Sequence, residues 1–115
     1  MTTKRVTIRN PPKPHERSIG ELLYQGRLDK NLTQMEIADA VGINQKTYSN
    51  VERSRGGSYT AVSPDILAAI FTLLGLDPDL AYYKTGTLPP DVRDTLASNW
   101  TLYTAVIEAA RKVQG

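Results

Sequence analysis

Apolar residues recur at helical spacing through most of the chain, and short polar breaks divide them into segments. Ser18 is placed to cap a first helix, with Glu21 three residues on completing a capping box. Ile19, Leu22, Leu23 and Leu28 supply its apolar face, and Asp29-Lys30-Asn31 ends it, asparagine being suited to a left-handed turn. Thr33 and Glu36 repeat the capping box for a second helix, whose predicted inward residues are Met35, Ile37, Ala38 and Val41. Gly42 follows where the chain needs positive φ to turn sharply, and Ile43 is expected to plug the corner. Asn44 caps a third helix from Gln45 to about Arg53, with Tyr48 and Val51 facing inward.

Ser63-Pro64 opens a fourth helix, carrying Ile66, Leu67, Ile70, Phe71 and Leu74, which Gly75 ends. Asp77-Pro78 starts a short fifth helix running to about Tyr83. Residues 85–90 read as a linker, and two more helices are predicted, Pro90 to about Ala97 and Asn99 to about Val113. The prediction is an all-α chain in three parts: a basic flexible arm over 1–17, a five-helix domain over 18–84, and a helical extension over 85–115. Pro11, Pro12 and Pro14 forbid helix in the arm, although Val6 and Ile8 alternate with polar neighbours and permit a short strand at Arg5–Arg9.

Charge sharpens this division. Residues 1–63 hold ten Lys/Arg against six Asp/Glu, or +4, and residues 64–115 hold four against six, or −2, which together give the net +2. A basic half joined to an acidic appendage suits a module that binds a polyanion. The chain has no cysteine, which excludes disulfides and thiolate zinc sites and fits a reducing cytoplasm. His15 is the single histidine and lies among prolines. No carboxylates stand at metal-ligand spacing, and Gly56-Gly57 lacks the strand and lysine of a phosphate loop. No catalytic residue, metal or cofactor is predicted, and neither a membrane span nor a secretory signal is expected.

The run from Leu32 to Arg53 joins two helices through one glycine turn, with Ala38, Gly42, Ile43 and Val51 at the positions that set their crossing. A small residue is needed at Ala38, since a large one would push the helices apart. The second helix is then free to enter a major groove about 12 Å wide. This stretch resembles the lambda-repressor-like, Cro-type helix-turn-helix (XRE) family of phage and bacterial regulators. Members read Leu-Thr-Gln, then Ala, then Gly, and end on an apolar-Glu pair like Val51-Glu52. The likeness extends from about Ser18 to Asp79, with one departure: Tyr48 stands where the family usually has a branched aliphatic. A partly buried core tyrosine is expected there, the alternative being a hydroxyl tilted towards DNA.

The resemblance implies that helix three is the recognition helix. Gln45, Lys46, Ser49 and Asn50 would read bases, as glutamine and asparagine can pair adenine and lysine can donate to guanine. Gln34, at the positive end of helix two, would clamp phosphate, with Asn44, Thr47, Arg53, Arg55 and the Gly56–Tyr59 backbone beside it. Lys4, Arg5 and Arg9 are candidates for an arm along the backbone or in the minor groove. Arg27 and Glu52 would form a structural ion pair between helices one and three.

In the extension, Leu96, Trp100, Tyr103, Ile107 and Ala110 recur at spacings of 4, 3, 4 and 3. Three uses suit that seam: folding back on the domain, pairing two chains, or docking another protein. The functional expectation is a double-stranded DNA-binding regulator, most readily a repressor reading a palindrome as a homodimer in the bacterial cytoplasm or nucleoid. The rival is an antitoxin-like module whose C-terminal helices bind a partner protein.

Overall fold

The computed structural model describes residues 12–54 and 62–114. Among these the chain is all-α, with seven α-helices and one 3-10 turn. Lys4, Arg5, Arg9, the strand considered at residues 5–9, Arg55 and the Gly56–Tyr59 backbone lie outside the described residues.

Helix α1 (Ile19–Asp29) starts where Ser18 Oγ accepts from the Glu21 amide at 3.1 Å and the Glu21 carboxylate accepts from the Ser18 amide. These two bonds satisfy amides that a helix start otherwise leaves unpaired. Asn31 then takes φ 56° and turns the chain. Thr33 and Glu36 make the same reciprocal box at the head of α2 (Gln34–Val41), with bonds of 3.0 and 2.8 Å. Gly42 ends α2 at φ 77°, where a side chain would be strained, and this left-handed residue allows α3 (Gln45–Glu52) to begin three residues later. Helices α4 (Pro64–Leu73) and α5 (Pro78–Lys84) each carry proline at the first position behind a capping Ser63 or Asp77.

One core unites α1 to α5. Leu23, Ile37, Ala38, Tyr48, Val51, Leu67, Ile70 and Phe71 are fully buried, and Ile43 packs against them at the corner. Each large apolar side chain buried there contributes about 1.5–3 kcal/mol before chain entropy is counted. Two predicted inward residues do not join this core: Leu28 is 48% and Met35 53% exposed. Both sit on the right helix but past the edge of its buried stripe, which is narrower than the run of apolar residues.

The root of the N-terminal arm is docked. Pro14–Glu16 form a single 3-10 turn, whose His15 carbonyl accepts from Lys84 Nζ at 2.8 Å while its ring meets Tyr83 edge-on. The prolines exclude an α-helix there but not this short turn.

Helices α6 (Pro90–Ala97) and α7 (Trp100–Gln114) form a hairpin of their own, and neither has a buried residue. The extension therefore does not fold back into the core. The turn at Ser98 and Asn99 also splits the predicted seam. Leu96 lines a groove with Val92, Leu102 and Val106, whereas Trp100, Tyr103 and Ile107 line a separate face of α7.

Candidate nucleic-acid interface

Helix α3 is divided lengthwise. Tyr48, Val51 and Glu52 are buried, while Gln45, Lys46 and Arg53 are exposed and Thr47, Ser49 and Asn50 are half-buried on the outer side. The four predicted base readers thus share one face, opposite the core. Asn44 is already in use: its Oδ1 accepts from the Thr47 amide at 2.7 Å, which fixes the start of the helix. Asn50 Oδ1 accepts from Arg53 Nη2 at 2.6 Å, a bond that orients the Asn50 amide and commits its oxygen, so that its N–H groups are the donors left to it.

What holds α3 in place is a polar cluster around Glu52, 7% exposed. Arg27 grips it bidentately, Nε to Oε2 at 2.9 Å and Nη2 to Oε1 at 3.0 Å. Gln34 Nε2 donates to Oε1 at 3.0 Å, and the Tyr48 hydroxyl donates to Oε2 at 2.8 Å. Four donors occupy the roughly four lone-pair sites of one carboxylate. Arg27 also reaches the Leu32 carbonyl at 3.2 Å and lies over the Tyr24 ring at 5.6 Å. Three helices are joined at this point: Arg27 comes from α1, Gln34 from the first turn of α2, and Tyr48 and Glu52 from α3.

The electrostatics agree with that geometry. Burial pushes the Glu52 carboxyl up, but the hydrogen bonds from Arg27, Gln34 and Tyr48 outweigh it and hold the group below the usual carboxylate range. Its hydrogen bond to Glu52 raises Arg27 further. Burial, reinforced by the bond to Glu52, pushes the Tyr48 phenol far up, so it remains a donor. Tyr48 is therefore a fully buried residue with a polar task, and its hydroxyl points to Glu52 rather than to the DNA-facing side.

Gln34 is half-buried and spends one N–H on Glu52, and its side-chain amide has a second N–H and a carbonyl beyond that bond. Sequence reasoning did not anticipate this bond, since nothing in an 18-residue separation signals it. The Tyr48–Glu52 pair was accessible from their spacing of four on one helix. Gly20 was also missed. Its amide donates to the Ser54 carbonyl at 3.1 Å, and a Cβ there would stand 2.3 Å from both the Glu52 and Ser54 carbonyl oxygens. Gly20 thus lets α1 touch the backbone where α3 ends, next to residue 55.

Among the described residues, no group of His, Asp or Glu is arranged to hold a metal ion, and no helix is long and apolar enough to cross a membrane. Comparison with curated proteins and with solved structures gave no match. A family model described as Helix-turn-helix matches residues 23–80, half of the chain, and spans α2, α3 and the core helices around them. The chain belongs to that family, as a DNA-binding helix-turn-helix regulator of the XRE, lambda-repressor-like type.

Proposed function

We propose that the protein is a sequence-specific transcriptional repressor acting in the bacterial cytoplasm or nucleoid, with no catalytic role, and that it reads a palindromic operator as a homodimer. The observation that carries this reading is the split of α3, with Gln45, Lys46, Ser49 and Asn50 outward and Tyr48, Val51 and Glu52 locked inward. A helix fixed from behind and polar in front suits the major groove, where each good bidentate pair is worth about 1–3 kcal/mol of discrimination.

In this reading Gln34 clamps a phosphate with its remaining N–H at the positive end of α2, while Thr47, Asn44 and Arg53 position the backbone. Arg55 is a further phosphate ligand in this reading. Lys4, Arg5 and Arg9 are assigned to an arm that contacts the DNA backbone or the minor groove. The exposed Trp100–Tyr103 face supports a second reading, an antitoxin-like module held by a partner protein.

Selection of bound DNA from a random pool tests the proposal. The expected product is a recurring palindrome whose half-site centres lie roughly 34–36 Å apart. A pool that shows no enrichment at moderate salt leaves only a salt-sensitive, non-specific binder and defeats the reading.

A further inference from the structure

The C-terminal hairpin leaves apolar surface uncovered on two sides. Leu102 and Val106 face the groove shared with α6, and both remain about 40% exposed. On the other side Trp100, Tyr103, Ile107 and Ala110 form a stripe along α7, spaced 3, 4 and 3. Trp100 is 74% exposed and stacks on Tyr103 with ring centroids 6.0 Å apart and planes 14° from parallel. Solitary exposed apolar residues are ordinary, but a stripe of them along a helix with no buried residue marks a surface fit for a partner.

We propose that this stripe pairs with the same stripe of a second chain, and that the two α7 helices run antiparallel about an axis level with residue 105. The inference rests on the homodimer reading above and adds the surface and its direction. Side-chain size argues for the direction. The bulky residues Trp100 and Tyr103 occupy the first half of the stripe, and the smaller Ile107 and Ala110 the second. Antiparallel pairing sets Trp100 against the partner's Ala110 and Tyr103 against the partner's Ile107, so each layer joins large to small. A parallel pair would stack two tryptophans at one end and leave a hole between two alanines at the other.

Charge gives the same answer. The last turn of α7 carries Arg111 and Lys112, and its first turn carries no acidic residue. Parallel helices would gather both copies of these cations at one end of the pair, with Glu108 the acidic residue on that face. Antiparallel helices place the two Arg111 side chains about 18 Å apart along the axis at 1.5 Å per residue, beyond the roughly 8–10 Å screening length. Each Arg111 then lies beside the other chain's exposed Trp100 ring, a favourable partner for a cation. A 15-residue helix makes a contact at the small end of stable interfaces, so the free dimer is expected to dissociate at micromolar concentration.

The chain has no cysteine, so single engineered cysteines report the geometry in the full-length protein. Thr104→Cys lies near the proposed axis, and Ala110→Cys lies about 15 Å from its own copy along that axis. Sedimentation is expected to give a dimer. A thiol-to-thiol reagent spanning about 10 Å is expected to join two Thr104→Cys chains and not two Ala110→Cys chains, by the reach argument that governs any cysteine bridge. A dimer in which Ala110→Cys joins overturns the antiparallel arrangement, and a dimer in which neither joins overturns this surface. A monomer at every concentration, together with selected DNA that has no two-fold symmetry, defeats the homodimer reading itself. Trp100→Ala with Tyr103→Ala is expected to weaken the dimer at least tenfold while the melting of the domain over 18–84 is unchanged.

Discussion

Gly20→Ala is expected to lower the melting temperature by roughly 5–15 °C, although alanine is the better helix former by up to about 1 kcal/mol. The added methyl would stand 2.3 Å from the carbonyl oxygens of both Glu52 and Ser54. Those are backbone atoms at the end of α3, and they cannot rotate away as a side chain can. Relief requires α1 to move off α3, which breaks the Gly20–Ser54 hydrogen bond and disturbs the carboxylate of Glu52. Overpacking of this kind costs about 1–3 kcal/mol and occasionally more. Gly26→Ala supplies the comparison, since the nearest atoms its Cβ would meet belong to the Leu74 side chain at 3.3 Å, where a shift of a few tenths of an ångström gives relief. Thermal unfolding followed by circular dichroism should rank Gly20→Ala well below Gly26→Ala. Equal melting temperatures would show that α1 and α3 are not in this contact.

Removing Arg27 is the second large effect. Arg27→Ala leaves Glu52 charged, 7% exposed and without its two strongest donors, with only Gln34 and Tyr48 still attached. Breaking one side of a buried pair costs about 3–5 kcal/mol, and the remaining two donors place this case at or below the lower end. A loss of about 2–3 kcal/mol, or roughly 10–15 °C, is expected. The double variant Arg27→Ala with Glu52→Gln should recover part of the loss, because the uncompensated charge is gone. An unchanged melting temperature for Arg27→Ala would remove the ion pair from the account of stability.

Much of this was legible in the sequence because the signals are local. The capping boxes at Ser18 and Thr33, the left-handed Asn31 and Gly42, and the proline starts of α4 and α5 are each decided within four residues. The outward face of α3 follows from the inward spacing of Tyr48 and Val51. The Arg27–Glu52 pair came from likeness to a family rather than from any local pattern. Contacts between distant segments were not readable in the same way. Gln34 meets Glu52, and Gly20 meets Ser54, only after three helices have packed. Leu28 and Met35 look inward by type and spacing, but whether the stripe reaches them depends on how wide the neighbouring helices are. The seam from Leu96 to Ala110 reads as one face when treated as one helix, and two residues of turn at Ser98 and Asn99 divide it.

The split of α3 gives the central claim a direct measurement. Fluorescence anisotropy should compare the selected operator with a scrambled duplex at fixed salt, using the natural protein and a Gln45→Ala, Asn50→Ala variant. Two lost base contacts are expected to weaken operator binding by roughly 30-fold or more, at about 1–3 kcal/mol each, with scrambled-duplex affinity and the salt slope nearly unchanged. Equal losses on both duplexes, or no loss on the operator, would contradict the assignment of α3 as the helix that reads sequence.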